Sequence, residues 1–228
     1  RHRDTGVSMG QVIIVTGSTR GIGLGLARAF AARGCHVVVN GRTQAAVDAA
    51  LAAVGGGTHR GVAGDVASLV DVNLLGTMAC CQVAIAGMLR QGGGHVYNFD
   101  GFGSDGMVRP GLTTYGSTKR ALRYFTRSLA REYQDSVVRI STLSPGIVAT
   151  DMLSTETEGL TPEQPSKTRR IYNILGDRVD TVAPWLADQV LGNSRHGARI
   201  AWLTPWKAAS RFATARFRPR NIFGDAQT

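Results

Sequence analysis

Acidic residues are scarce in this chain of 228 residues: 16 Asp and Glu stand against 26 Lys and Arg, for a net charge of +10. An excess of that size could mark a nucleic-acid-binding protein. The basic residues are spread along the chain and gather only towards its C-terminus, and no nucleic-acid motif accompanies them, so no nucleic-acid partner is expected. Cysteine is equally rare. Cys35, Cys80 and Cys81 have no metal-binding or redox spacing. Cys35 opens a strand and the other two fall in an apolar helical stretch, so buried thiols in a reducing, cytoplasmic setting are expected. The five histidines are scattered, and no metal site is expected. No uninterrupted run of 18 apolar residues occurs, which argues against a membrane-crossing helix. The sequence opens Arg1-His2-Arg3 without methionine, so a targeting segment upstream stays compatible with it.

What is present fits one α/β domain: the length, and an apolar share of 43%. Residues 11–15 form a short β-branched run, suited to a strand buried on both faces. A glycine-rich turn and a helix to Arg33 follow, closed by Gly34. Residues 35–40 read as a second strand, 43–54 as an alanine-rich helix and 59–64 as a third strand ending at Asp65. This alternation is the doubly wound parallel pattern, with a ligand expected at the carboxyl ends of the strands. Further on, residues 79–89 continue a long helix, 95–99 read as a strand, 114–133 as a helix, 137–143 as a strand and 199–203 as a last strand. Residues 154–167, polar and carrying Pro162 and Pro165, read as a mobile loop, and two short helices follow at about 168–175 and 181–191.

Two stretches carry chemistry. In Thr16-Gly17-Ser18-Thr19-Arg20-Gly21-Ile22-Gly23, glycines between a strand and a helix allow backbone to approach a pyrophosphate, which the helix N-terminus favours. The second strand ends Asn40-Gly41-Arg42. An acid there would hold ribose hydroxyls, whereas a guanidinium accommodates a 2′-phosphate, with Arg20 as a second fork. NADP(H) is therefore the expected cofactor, unless both arginines merely face solvent. In Tyr115-Gly-Ser-Thr-Lys119 a phenol and an ammonium lie one helical turn apart. The ammonium favours the phenolate and lowers the tyrosine pKa from near 10, so Tyr115 can exchange a proton with a carbonyl oxygen.

The glycine turn, Asp65, Asn73, Tyr115 with Lys119, and Pro145-Gly146 followed by Thr150 resemble the short-chain dehydrogenase/reductase family over about residues 10–205. The resemblance implies a single-domain Rossmann fold and a homodimer or homotetramer acting on a small-molecule carbonyl. It implies that Lys119 also holds the nicotinamide ribose and that Asn73 supports a water linking Lys119 to solvent. Gly17, Ser18, Thr19, Arg20, Gly21, Ile22, Gly23 and Arg42 would bind the cofactor's phosphates and ribose. Asp65 and Val66 would meet its adenine, although Asp65 could equally cap a helix. Pro145, Gly146, Val148 and Thr150 would hold the nicotinamide.

The chain departs from that pattern in two places. Between about Ser68 and Asp71 the family would place roughly 40 residues, since a parallel crossover alone takes a dozen or more. The absent piece normally carries an Asn-Asn-Ala-Gly stretch lining the adenine side of the pocket. Removing a central strand would leave its neighbours unpaired, so the expectation is that residues have been omitted from the sequence, with a true deletion as the alternative. Second, Asp100-Gly101 stands where the family has Ser-Ser, leaving Ser104 as the nearest hydroxyl to polarise a carbonyl, or simply a turn residue. Asn98-Phe-Asp-Gly-Phe-Gly-Ser-Asp-Gly106, with Tyr115-Gly-Ser-Thr-Lys119 and Trp202-Leu-Thr-Pro205, resembles the chlorophyll(ide) b reductase branch, whose members reduce a 7-formyl group with NADPH.

The tail, residues 206–228, interleaves Lys207, Arg211, Arg216, Arg218 and Arg220 with Phe212, Phe217 and Phe223. Such a segment could contact a membrane surface peripherally through 206–223; the favoured expectation is that its aromatics pack on the body or a sister subunit. The combined reading is an NADPH-dependent carbonyl reductase acting on a bulky apolar substrate. A non-catalytic dinucleotide-binding protein on the same fold is the competing one.

Overall fold

The computed structural model describes residues 11–55, 59–63, 70–150 and 165–222. The chain divides into two compact units, one of Arg1–Asp65, Gly146–Gly192 and Trp202–Thr228, the other of Val66–Pro145 and Asn193–Ala201.

In the first unit, β1 (Val12–Val15), β2 (His36–Gly41) and β3 (Arg60–Ala63) form a parallel sheet in the order β1-β2-β3. Val37 and Val39 of the central strand are fully buried, as a strand covered on both faces requires. Two helices, α1 (Gly21–Ala31) and α2 (Gln44–Val54), supply Leu26, Phe30 and Val47 to the same core. Thr43 caps α2 by accepting a hydrogen bond from the Ala46 N–H at 3.3 Å. The chain returns to this unit in β6 (Val148–Ala149), α5 (Pro165–Leu175), β7 (Asp177–Arg178), α6 (Val179–Gly192) and, at its end, α7 (Pro205–Thr214). Helices α1 and α6 pack closely because Gly25 has no side chain; a Cβ there would lie 3.1 Å from that of Ala183. Arg33 fastens the same pair through Asp188 at 2.6 Å.

The second unit is a parallel sheet ordered β4 (Gly94–Phe99), β5 (Val138–Ser144), β8 (Arg199–Ala201), flanked by α3 (Thr77–Arg90) and α4 (Thr113–Glu132). Cys81 and Ile85 of α3 pack on Val138 and Ile140 of β5, with Phe125 and Leu129 of α4 against them. A wide π-helical turn, Asp71–Gly76, leads into α3.

The sequence passes from Ser68 through Leu69 and Val70 to Asp71, and no strand corresponding to the expected crossover segment occurs among the described residues. A doubly wound sheet needs a central strand paired on both sides; among the described residues the strands form two three-stranded parallel sheets and the two-stranded pair β6-β7. The Val12 and Ile14 side chains on the β1 edge are 61% and 63% exposed. Three smaller expectations also change. Cys80 is exposed while Cys35 and Cys81 are buried, because consecutive helical residues point about 100° apart and only one can face the sheet. Residues 165–167 begin α5, with Pro165 at its first position, where the missing N–H costs nothing; the rest of that expected loop lies outside the described residues. Finally, the continuous helical stretch Asp71–Arg90 reaches a mean hydropathy of 1.7 over a membrane-spanning length, which a count of uninterrupted apolar residues misses. Its Cys81 and Ile85 are nonetheless committed to the sheet.

Candidate active site

The glycine turn lies between β1 and α1. Gly17 and Gly21 adopt φ of +62° and +55°, a region open mainly to glycine. A Cβ on Gly23 would stand 2.5 Å from the Gly17 carbonyl oxygen and 3.0 Å from Ser18 Cα, so the turn closes on itself only because that side chain is absent. Ser18 is fully buried; its hydroxyl donates to the Val15 carbonyl at 2.6 Å and accepts from the Asn40 N–H at 3.0 Å. Those two bonds lock the turn to the end of β2. A Cβ on Gly41 would overlap Thr19, which brings the start of Arg42 beside the turn. Both Arg20 and Arg42 are exposed, with no ion-pair partner among the described residues.

Helix α1 has no side-chain N-cap and no acid in its first turn, leaving its amino-terminal N–H groups and their partial positive charge uncompensated. Thr150, also in the first unit, lies against the turn: a Cβ on Gly21 would come within 3.3 Å of its Cγ2. Gly146 needs φ of +73°, and a side chain there would strike Leu203. Val148 lies in β6, paired with Asp177 of β7. This cradle, with a Cβ-free floor and an open helix end, fits a dinucleotide pyrophosphate. Asp65 and Val66 lie outside the described residues.

In the second unit Tyr115 and Lys119 stand one turn apart on α4, with the Lys119 Nζ 5.7 Å from the centre of the phenol ring. Burial pushes the Lys119 ammonium below its ordinary value, against the Asp100 carboxylate, which favours the charged form. Asp100 is itself buried and paired with Arg199 of β8 at 3.1 Å. Its Oδ1 also accepts from the Gly101 N–H at 2.9 Å. Asn73, in the π-helical turn, donates to the Thr118 hydroxyl at 3.1 Å, which donates in turn to the Tyr115 carbonyl at 2.7 Å. Asn73 therefore holds the backbone that carries the tyrosine.

The Asp-Gly departure has a geometric consequence. A Cβ on Gly101 would lie 2.8 Å from the Tyr115 hydroxyl and 3.2 Å from Lys119 Cε. Where the resemblance places a serine, the phenol hydroxyl and the Lys119 methylenes of this chain close against the bare glycine backbone. Ser104 follows in the turn, 3% exposed, its backbone bonded to Gly101 and Arg120 at 3.1 and 3.0 Å; a carbonyl-donor role for its hydroxyl requires that turn to open. Asp100 and Arg199 are the site residues sequence reading did not assign. An acid at a strand end was a visible signal for the first, but only the pairing of β5 with β8 brings Arg199 to it across 99 positions. Replacing the carboxylate by an amide, Asp100→Asn, removes the group that favours charged Lys119. The alkaline limb of the kcat/KM profile is expected to move to lower pH than in wild type, measured over the range where the protein stays folded; an unmoved limb would uncouple Asp100 from Lys119.

A family model described as short chain dehydrogenase matches residues 11–69 and 55–161, in two pieces that overlap over residues 55–69. Chlorophyll(ide) b reductase NOL of Oryza sativa subsp. japonica is 32% identical, over 87% of this chain and 73% of that protein. Probable chlorophyll(ide) b reductase NYC1 of Arabidopsis thaliana is 28% identical over 277 aligned positions, more than this chain possesses, so that protein carries segments without a counterpart here. The chain spans about half the length of that relative, 54%, while covering 93% of its own. Among solved structures, a short chain dehydrogenase/reductase family oxidoreductase from Burkholderia thailandensis superposes with a TM-score of 0.73 at 21% identity, covering 93% of this chain and 98% of that one. L-sorbose reductase from Gluconobacter frateurii, complexed with NADPH and L-sorbose, gives 0.70 at 19% identity, covering 84% and 94%. The fold is the Rossmann-type α/β fold of these proteins.

Proposed function

The chain belongs to the short chain dehydrogenase family, in its chlorophyll(ide) b reductase-like branch, and from that premise we propose that it is an NADPH-dependent reductase of a carbonyl on a bulky, apolar substrate. The 7-formyl group of chlorophyll(ide) b is the candidate its relatives' names supply. One observation carries the reading: a phenol and a desolvated ammonium share one helix face and both close on the backbone of Gly101. NADPH, when bound, supplies the hydride. Tyr115 gives its phenolic proton to the carbonyl oxygen, and Lys119, poorly solvated, stabilises the phenolate left behind more strongly than it could in water.

Arg42 and Arg20 support NADPH over NADH, since guanidinium forks match a 2′-phosphate. Arg42→Asp is expected to raise the NADPH KM by about 10- to 100-fold with little change for NADH; equal effects on both cofactors would remove Arg42 from the 2′-phosphate. The reading as a whole is tested by following NADPH oxidation with a panel of bulky aldehydes and ketones that includes chlorophyllide b. A second reading, a dinucleotide-binding protein without turnover, draws on the missing crossover and the absent serine, and corresponds to tight NADPH binding with no oxidation on any substrate.

A further inference from the structure

Helix α7 is turned inside out. Its cations point to the body of the first unit: Lys207 Nζ lies 3.0 Å from the centre of the Trp202 ring, and Arg211 donates to the Leu175 carbonyl at 2.9 Å and to Asp177. Asp177, buried, also accepts from Trp202 and Arg220. Burial pushes its carboxyl up, but the hydrogen bonds from Arg211, Trp202 and Arg220, with the Arg211 charge, outweigh that and hold it below the ordinary range. The inward face is thus fixed by ion pairs, and the aromatics are left outside: Trp206, Phe212 and Phe217 are 86%, 51% and 82% exposed. Of the expected packing of these aromatics on the body or a sister subunit, the part on the body does not hold for Trp206, Phe212 and Phe217, because Lys207 and Arg211 occupy that face.

The charge around them is of one sign. No Asp or Glu occurs between Asp188 and Asp225, and the exposed Arg216 and Arg218 flank Phe217 directly. The segment after α7 also walls a cavity of about 320 Å³, lined by Arg169, Arg170 and Asn173 of α5 together with Pro219 and Arg220, and among the described residues no carboxylate lines it. Arg220 is committed to Asp177 and to the Ile174 carbonyl, and the exposed Arg169 and Arg170 beside it add the positive charge that suits the oxygens of a phosphate. Exposed Trp and Phe set among arginines are the composition that seats a helix in a bilayer interface with anionic headgroups.

We infer that α7 and residues 215–220 dock this protein on an anionic bilayer surface, with Trp206 and Phe217 entering the interfacial layer and a lipid phosphate received in the arginine-lined cavity. The charge complementarity selects the lipid over a second copy of the chain, whose corresponding face would bring the same positive charge against itself.

The test is co-sedimentation of the full chain with phosphatidylcholine vesicles, with and without phosphatidylglycerol. Binding is expected only with the anionic lipid and is expected to weaken with salt. Trp206→Ser with Phe217→Ser should weaken it at least about tenfold. Arg169→Gln with Arg170→Gln should weaken it about fivefold per arginine removed. Both pairs should keep the wild-type circular dichroism spectrum and NADPH affinity; Phe217→Ser alone replaces the first pair if its spectrum changes. Wild-type chain that ignores anionic vesicles overturns the inference, as do variants that bind them like wild type. So does an aromatic pair that turns a dimer into a monomer in sedimentation equilibrium while vesicle binding stays the same, which would assign the face to a second copy.

Discussion

Tyr115→Phe is expected to lower kcat for NADPH-dependent carbonyl reduction by about 10²- to 10⁴-fold, the range a positioned proton donor contributes, while NADPH affinity stays near wild type. The phenol belongs to the second unit, on a helix whose backbone is held by the chain of bonds from Asn73 through Thr118 to the Tyr115 carbonyl. None of those bonds uses the hydroxyl, so removing it leaves the scaffold intact. Lys119 keeps its buried position and its relation to Asp100. A Phe variant as active as wild type would mean that the proton comes from elsewhere, with Ser104 the next hydroxyl to examine.

Gly23→Ala is the second large effect, and it acts on binding. The added Cβ would meet the Gly17 carbonyl oxygen at 2.5 Å and Ser18 Cα at 3.0 Å. Both are backbone atoms, pinned by the Ser18 hydroxyl between Val15 and Asn40, so the turn has to open. Opening it withdraws N–H donors from the pyrophosphate, and at about 1.5–3 kcal/mol for each hydrogen bond to a charged group, two lost bonds weaken NADPH binding by at least about 100-fold. Titration calorimetry checks the affinity. Gly192→Ala, whose Cβ would meet nothing within 4 Å, is the control and should bind NADPH as wild type does.

Much of this was legible because it is local. A β-branched run, a glycine turn and an alanine-rich helix each announce themselves within a dozen residues, and β1, α1, β2 and α2 lie where the sequence puts them. Tyr115 and Lys119 are legible for the same reason, since helical spacing alone places them on one face. The rest depends on partners distant in the chain. Nothing near Asp100 points to Arg199, which reaches it only through the pairing of β5 with β8. Helix α7 fails differently: its periodicity displays one cationic and one aromatic face but not which turns inward, a choice made by Asp177 and Trp202. The crossover is the converse case, where pairing rules argue for a strand that the sequence does not carry between Ser68 and Asp71.

The central claim is that Tyr115 and a bound NADPH reduce a carbonyl in one turnover despite the missing crossover. The most direct measurement is a single turnover with NADPH deuterated at the transferable nicotinamide position and chlorophyllide b as acceptor, analysed by mass spectrometry. The account predicts a hydroxymethyl product carrying the deuterium, formed by wild type and suppressed in Tyr115→Phe. Saturable NADPH binding with no deuterium in the product, on chlorophyllide b or on any other bulky aldehyde or ketone, would contradict it.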